Sequence, residues 1–205
     1  MPDFIQKSIV NAKETIIAEI SALGALFPVL DARFSTACDS IESLLGKLVV
    51  TGMGKAGLIG QKISATLRST GQPSVFLDPA QALHGDMGMI GPGDGLLALS
   101  NSGETAEVLA VAHFAMAHDV PVITITSKAE SQLAAIGTAL IYPIMPEGCP
   151  IRRAPMASCI QMLALGDCIA AELMARRGFT EADFLALHHG GYLGRILAED
   201  ISANG

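Results

Sequence analysis

Short apolar segments alternate with amphipathic segments along most of the chain. Five short, mainly apolar runs predict buried strands, at 48–51, 74–77, 96–99, 120–126 and 138–144. Helical spacing of apolar residues predicts helices between and after them, at 56–69, 79–83, 104–118, 130–136 and 156–177. Strands that alternate with helices are typical of an α/β protein with a doubly wound, mostly parallel five-stranded sheet.

Two further helices are predicted before the first strand. Apolar residues recur at helical spacing within 3–23, and Pro28 opens a second helical segment that runs to about residue 43. These helices are expected either to cover the sheet or to form a dimerisation arm. No repeat or linker is visible, which predicts a single domain over 1–205, with N-terminal helices in 1–45 and an α/β core with C-terminal helices in 46–205.

Composition indicates an oligomer rather than a nucleic-acid-binding protein. Half of the residues are apolar, 16% are charged, and the mean hydropathy is +0.46, so part of the surface is expected to be buried in a homo-oligomer. The net charge of −7 argues against nucleic acid and anionic membranes as partners. No bilayer-spanning stretch and no signal peptide are expected, which favours a cytoplasmic location.

The cysteines give no indication of a disulfide framework or a metal site. Cys38, Cys149, Cys159 and Cys168 show no CxxC spacing, so reduced thiols are the simplest interpretation. Three histidines and Cys149 could in principle hold a metal, but no ligand spacing supports a site, and none is predicted. No cofactor is predicted either.

Hydroxyl groups are concentrated directly after the third predicted strand. Ser100, Ser102 and Thr105 surround Gly103, and a helix is expected to begin at Glu104. Free backbone N–H groups at the positive end of a helix bind anions, and glycine lets the backbone come close. A single hydroxyl would suffice for an ordinary helix cap. Three hydroxyls beside a glycine therefore favour a phosphate site over a simple cap.

The turn after the first strand admits a different interpretation. Residues 52–57 fit the GxGxxG pattern of dinucleotide-binding proteins, and Asp78 ends the next strand, where a ribose-binding acid would stand. Lys55 lies inside this turn, where a dinucleotide loop needs no cation, and the hydroxyl-rich turn would then be unused. Glycines at such a turn can also serve close packing alone. A dinucleotide enzyme is therefore the minority interpretation.

Several segments, in order along the chain, resemble a known family. They are residues 52–55, 84–89, 100–105, 147–150, 166–167, 177–180 and 188–195. They look like the sugar isomerase (SIS) domain and, more narrowly, its arabinose-5-phosphate isomerase branch, which serves lipopolysaccharide and capsule sugar synthesis. The Ser-x-Ser-Gly-Glu-Thr motif alone marks only the wide superfamily, whereas the whole set is specific to the branch.

The resemblance implies a flavodoxin-like SIS fold, typically tetrameric, that interconverts an aldose phosphate and a ketose phosphate through a cis-enediol. The family's functional residues fall on Lys55, Glu104, Glu147 and His188. Proton transfer is assigned to Glu147, ring opening to His188, and positioning and charge stabilisation to Lys55 and Glu104. The roles of the two glutamates could be exchanged. Residues assigned to the phosphosugar are Gly54, His84, Ser100, Asn101, Ser102, Gly103 and Thr105.

Each assignment also has an ordinary structural explanation. Lys55 and Glu104 could form a plain ion pair between two helix starts, which is worth little by itself. Glu147 could be a solvated loop residue, and His188 could cap a helix end. If the catalytic residues were only structural, the chain would be a non-catalytic sugar-phosphate sensor that keeps the hydroxyl-rich site.

The chain departs from the resembled family beside two of these residues. Met156 to Cys159 occupy a position that is usually rich in serine and threonine, and His189 stands where proline is usual. Arg152 and Arg153 replace small, neutral residues and could add a second anion contact. A pocket with changed polar partners is expected to discriminate sugars differently. Many family members continue into CBS modules, so the chain is expected to be either a member without them or a segment of a longer protein.

Overall fold

The structure, a computed structural model, describes residues 2–188. Two helices come first, α1 (Pro2–Gly24) and α2 (Ala32–Glu42), joined by a 3₁₀ turn at Phe27–Val29. The strands are β1 (Leu48–Gly52), β2 (Ser74–Leu77), β3 (Gly95–Leu99), β4 (Val122–Thr126) and β5 (Thr138–Ile141). The remaining helices are α3 (Lys55–Ser69), α4 (Pro79–Ala82), α5 (Ala106–Ala117), α6 (Ala157–Arg177) and α7 (Glu181–Leu187), with 3₁₀ turns at Asp86–Met89 and Leu133–Ala135.

The five strands form one sheet in the order β2-β1-β3-β4-β5, and every neighbouring pair is parallel. The predicted doubly wound sheet is therefore confirmed, and it is parallel throughout rather than mostly. The chain winds outward in opposite directions from β1 and β3, so these two strands mark the point where the order reverses. Ligands of such sheets bind in the crevice at the carboxyl ends of these strands.

Side chains of the central strands are buried on both faces of the sheet. Val50 and Leu97 belong to a core shared with α2, α3 and α6, whereas Val49 and Leu96 pack against α5 on the opposite face. Successive residues of a strand point to opposite faces, so a strand covered on both sides must be apolar at every position. This explains why the strands appear in the sequence as continuous apolar runs rather than as alternating patterns.

One helix meets the length and hydropathy criteria for a membrane span, although no such stretch was expected from the sequence. Helix α6 has 21 residues and an 18-residue window of mean hydropathy 1.4, which is long and apolar enough to cross a bilayer. The segment 8–29 together with α2 passes the same test, but with a bend of 80°. Half of the α6 window is buried inside the fold, where the helix packs against α3 and α1. Packing against these helices and in the core shared with the strands therefore accounts for the apolar character of α6.

Several predicted elements differ in extent from the observed ones; the last strand, for example, ends at Ile141 rather than at residue 144. The helix expected at 130–136 is only the 3₁₀ turn Leu133–Ala135. The second helix begins at Ala32, because the Asp31 side chain accepts a hydrogen bond from Arg33 N and caps it there, while Pro28 lies in the preceding 3₁₀ turn. Strand β4 begins only after Pro121, whose nitrogen carries no hydrogen for the sheet.

Candidate active site

A cleft of about 370 Å³ lies at the carboxyl ends of β1 and β3. The structure brings Lys55, Ser100, Asn101 and Thr105 together here, although 44 residues and more separate the lysine from the others in sequence. Glu147, from the segment before α6, lines the same cleft. The two turns singled out from the sequence therefore share one cleft, at the place where parallel sheets bind ligands.

The hydroxyl-rich turn is held by its own side chains. Ser100 Oγ lies 2.8 Å from Thr105 Oγ1 and accepts a hydrogen bond from Gly103 N at 3.1 Å. Gly103 has φ +68°, and a Cβ there would lie 2.1 Å from Ser131 Oγ, so only glycine fits. Helix α5 begins at Ala106, two residues later than expected, with Thr105 at its N-cap. Because the Thr105 hydroxyl faces Ser100, it makes no cap hydrogen bond to the helix.

Asn101 is anchored by residues that the sequence analysis missed. Its backbone oxygen accepts hydrogen bonds from Ser127 N and Ser127 Oγ, at 3.2 and 2.8 Å. Its Oδ1 accepts a hydrogen bond of 2.6 Å from the hydroxyl of buried Tyr142. Burial, with the nearby Cys159 and Glu147, raises the pKa of Tyr142, so this hydroxyl remains a donor. The partners lie 26 and 41 residues away in sequence, and no local motif links them to the turn.

Lys55 is the first residue of α3 and follows Gly54, which has φ +60°. Its ammonium makes no ion pair or hydrogen bond with any residue that the structure describes, so the ion pair with Glu104 does not form. The pKa of the Cys159 thiol is raised, because burial and the Glu147 carboxylate outweigh the opposite effect of Lys55. The charges of Lys55 and Glu147 therefore both act on the same wall of the cleft.

Glu147 is neither a solvated loop residue nor a free carboxylate. Its Oε2 accepts hydrogen bonds of 2.6 Å from Met156 N and Ala157 N, at the start of α6. Its Oε1 accepts a bond of 2.6 Å from Ser158 Oγ and a long one of 3.4 Å from Ser158 N. The positive end of the dipole of α6 thus holds the Glu147 carboxylate in place, in the same cleft as the hydroxyl-rich turn. Oε1 is the less fully occupied of the two oxygens.

Of the predicted site residues, Gly54, Ser102 and Gly103 belong to the two turns but do not line the cleft, and Glu104, His84 and His188 do not line it either. Glu104 accepts hydrogen bonds from Gln132 N at 2.9 Å and from Gln132 Nε2 at 2.6 Å. His188 donates from Nδ1 to Phe184 O at 2.8 Å, and its ring stacks on Phe184 with centroids 3.9 Å apart. His84 is exposed just after α4. Residues 189–195 of the resembled motif lie outside the described residues.

Among the described residues, Cys149 is not part of a metal-binding group. Within residues 2–188, no three side chains of the metal-binding types come together. The Cys149 sulfur instead accepts hydrogen bonds from Arg153 N and Ala154 N, at 3.3 and 3.2 Å. Burial raises the pKa of this thiol, but the backbone donors of residues 151–154 outweigh that effect and lower it. The loop before α6 is thus folded around Cys149.

Comparison with proteins of known sequence gives matches along most of the chain. It is 44% identical over 196 residues to arabinose 5-phosphate isomerase KdsD of Pseudomonas aeruginosa PAO1, a match that covers 95% of this chain and 59% of that protein. It is 42% identical over 186 residues to KdsD of Escherichia coli K12, which covers 90% of this chain and 57% of that protein. The chain thus spans less than two thirds of the length of these curated relatives.

Comparison with solved structures agrees with the observed fold. The structure of E. coli CFT073 c3406 in complex with arabinose 5-phosphate superimposes with a TM-score of 0.82 at 34% identity, and the match covers 90% of this chain and 98% of that one. Residues 45–171, which include β1 to β5 and most of α6, match the SIS domain family. Because this match covers more than half of the chain, the protein belongs to the SIS domain family.

Proposed function

We propose that the protein is an aldose–ketose isomerase that interconverts arabinose 5-phosphate and ribulose 5-phosphate. The observation that carries this proposal is the placement of Lys55, Glu147 and the hydroxyl-rich turn around one cleft. The relatives named arabinose 5-phosphate isomerase support the reaction, and the related structure in complex with arabinose 5-phosphate supports the substrate class. The reaction needs no redox partner, because the substrate and product are isomers.

The phosphate of the sugar binds at the turn that begins with Ser100. Ser102 is exposed there, and the N-terminus of α5 lies directly behind it. Because Thr105 does not cap that helix through its side chain, the first turn of α5 can donate backbone hydrogen bonds to phosphate oxygens. Lys55, which is unpaired among the described residues, adds a positive charge from the neighbouring strand end.

Proton transfer is assigned to Glu147. Its carboxylate removes the proton from carbon 2 of the open-chain aldose. The electron pair of the broken carbon–hydrogen bond forms the carbon 1–carbon 2 double bond, and the carbonyl oxygen on carbon 1 takes up a proton, which gives the enediol. Return of the proton to carbon 1, with loss of the proton from the oxygen on carbon 2, gives the ketose. Oε1 is the oxygen suited to this step, since one of its two hydrogen bonds is long. Lys55 stabilises the negative charge that develops on the enediol oxygens.

Ring opening is assigned to His188, delivered by a second copy of the chain in a homotetramer. In its own chain His188 stacks on Phe184 and does not line the cleft. Helix α1 and the 3₁₀ turn after it leave large apolar side chains exposed, among them Ile17 at 62% and Phe27 at 77%. Apolar surface of this kind is typical of subunit contacts. His84 and Glu104 keep a positioning role in this scheme.

The finer assignments follow from the same proposal. We place the protein in the cytoplasm and in lipopolysaccharide or capsule sugar synthesis, with residues 1–205 as one SIS domain and without partners among nucleic acids or membranes. A non-catalytic sugar-phosphate-binding domain is the second candidate. It is favoured by one observation, since Glu104 and His188 both lie outside the cleft of their own chain.

Two matched variants separate these candidates. Glu147→Gln removes the base, so interconversion should fall by about 100-fold or more. Glu104→Gln changes a carboxylate that faces Gln132 outside the cleft, and its effect should be at least tenfold smaller. The measurement is NMR in deuterated water with each pentose phosphate, which follows both interconversion and deuterium uptake.

Binding of arabinose 5-phosphate, measured by calorimetry, controls for folding of each variant. A wild-type protein that binds the sugar without exchange or interconversion would establish the sensor. The reverse order of effects, with Glu104→Gln the more damaging change, would exchange the roles of the two glutamates.

A further inference from the structure

Most described cations of this acidic chain are paired, but a small group is not. Side chains of eleven lysines and arginines lie within residues 8–188. Six of them make an ion pair or a side-chain hydrogen bond, namely Arg33, Lys47, Lys62, Arg68, Arg176 and Arg177. Among the described residues the other five make neither, namely Lys13, Lys55, Lys128, Arg152 and Arg153. The chain has 20 acidic side chains for 13 lysines and arginines, so a group of unpaired cations is unexpected.

Four of these five unpaired cations lie around one continuous depression. Lys55 and Arg153 line the candidate active-site cleft. Lys128, Arg152 and again Arg153 line a neighbouring cleft of about 340 Å³. The two clefts share Asn101 and Glu147 in their walls, so the second is a lobe of the first. Arg153 stands at the boundary between the two lobes.

The acid in the shared wall does not neutralise this group. Glu147 is the carboxylate common to both lobes, and it accepts hydrogen bonds from the N-terminus of α6 and from Ser158. Neither arginine forms an ion pair with it in the structure, so their charge remains available. Two guanidinium groups and an ammonium around one lobe suit a phosphate group, which arginine can bind through two parallel hydrogen bonds.

We propose that this second lobe is an anion subsite, in which Lys128, Arg152 and Arg153 bind a second phosphate group on a sugar whose first phosphate occupies the Ser100 turn. The inference rests on the proposed function for the first phosphate. A phosphate on carbon 1 of a ketose prevents formation of the carbon 1 aldehyde. A sugar bisphosphate of this kind therefore binds without isomerising and inhibits the enzyme competitively.

Calorimetric titration of the full chain with two ligands tests the proposal. Ribulose 1,5-bisphosphate and ribulose 5-phosphate differ only in the second phosphate, so their affinity ratio reports on the subsite. Because hydrogen bonds between charged groups are strong, the bisphosphate should bind the wild type about tenfold or more tighter. The same bisphosphate should inhibit isomerisation competitively.

The variant Arg152→Gly with Arg153→Ala should reduce the ratio to about one. Glycine is the replacement at residue 152 because the backbone there has φ +49°, which favours glycine. Lys128→Ala is a second, independent variant that should lower the ratio, because it removes a cation that lines the second lobe. The fold should not be affected, because the Lys128 side chain is exposed. Lys13→Ala is the matched control. Lys13 is an unpaired cation on α1 that lines neither lobe, so its removal should leave the ratio unchanged.

Three outcomes would overturn the proposal. Equal affinity of the wild type for both ligands would exclude the subsite and leave the proposed function standing, because the monophosphate still binds. Tighter binding of the bisphosphate that survives both the arginine and the Lys128 substitutions would place the second phosphate elsewhere. A wild type that binds neither ligand would remove the proposed function together with the subsite.

Discussion

Two lysines flank strand β1, and their surroundings are opposite. Lys47, just before the strand, forms an ion pair of 2.7 Å with buried Asp94, which also accepts hydrogen bonds from Lys47 N and Gly91 N. Lys55, three residues after the strand, is exposed and unpaired among the described residues. The same strand thus separates a cation that is used for folding from one that is available to a ligand.

The difference between the two edges of the sheet extends beyond the lysines. At the amino edge, Asp94 joins the start of β1 to the turn before β3, and each of its oxygens has a donor. At the carboxyl edge, hydrogen bonds fix the hydroxyl-rich turn and Glu147, while the surrounding cations stay unpaired. Stability and ligand binding therefore draw on separate ends of β1 and β3, and substitutions can test that separation.

The largest expected effect is on catalysis, from Lys55→Met. Loss of the cation that stabilises the enediol oxygens should lower turnover by about 100-fold to 1,000-fold. The melting temperature should hardly change, because the ammonium has no partner among the described residues. Lys47→Met is the matched control, with turnover retained and stability reduced. Coupled pentose isomerisation assays and thermal unfolding of both variants are the measurements, and a Lys55 variant with full turnover would contradict the comparison.

A smaller effect, on stability, is expected from Asp94→Asn. Burial raises the pKa of Asp94, but hydrogen bonds from Lys47 and Gly91 outweigh burial and hold the pKa below its ordinary value of 3.8. A lowered folded-state pKa contributes stability above the unfolded-state pKa, and this contribution is lost as pH falls through the folded-state value. The variant should therefore be about 2 kcal/mol less stable near neutral pH.

Denaturant unfolding of the wild type and Asp94→Asn, measured at several pH values, checks this prediction. The difference in unfolding free energy should be constant above about pH 5 and shrink below about pH 4, where the Asp94 carboxyl of the unfolded chain takes up a proton before that of the folded protein. Turnover near neutral pH should remain within about threefold, since a change at the amino edge of the sheet, far from the cleft, leaves the catalytic geometry intact. A difference that is independent of pH would show that the charge of Asp94 contributes little.

The sequence was sufficient for the fold because its signals are local. Apolar runs located all five strands, and their alternation with helices predicted the doubly wound sheet. Sequence also singled out both turns of the cleft, because glycines and hydroxyls at strand ends have a direct physical meaning. The 3₁₀ turn at Leu133–Ala135 was predicted as a helix, since a short apolar segment does not show that it will be used to brace Gly103 through its backbone.

The arrangement of the site depended on contacts that sequence does not encode locally. Nothing near Glu104 indicates that Gln132, 28 residues away, holds its carboxylate. Nothing near Glu147 indicates that its oxygens accept hydrogen bonds from the start of α6. The ion pair between Lys55 and Glu104, considered as an alternative to their functional roles, is absent for the same reason. Residue types at strand ends could be predicted, whereas the directions of their side chains follow from tertiary packing.

The smallest effect is expected from Tyr142→Phe, which removes one of the hydrogen bonds that hold the hydroxyl-rich turn at the carboxyl edge of the sheet. The Tyr142 hydroxyl donates to Asn101 Oδ1, and Asn101 is exposed enough for water to replace this donor. The loss should therefore cost about 1 kcal/mol in stability. Because the backbone of Asn101 remains bound to Ser127, phosphosugar affinity should fall only about threefold. Calorimetry and denaturant unfolding measure both, and a loss of affinity of about tenfold or more would mean that the turn depends on Tyr142 for its shape and not only for its stability.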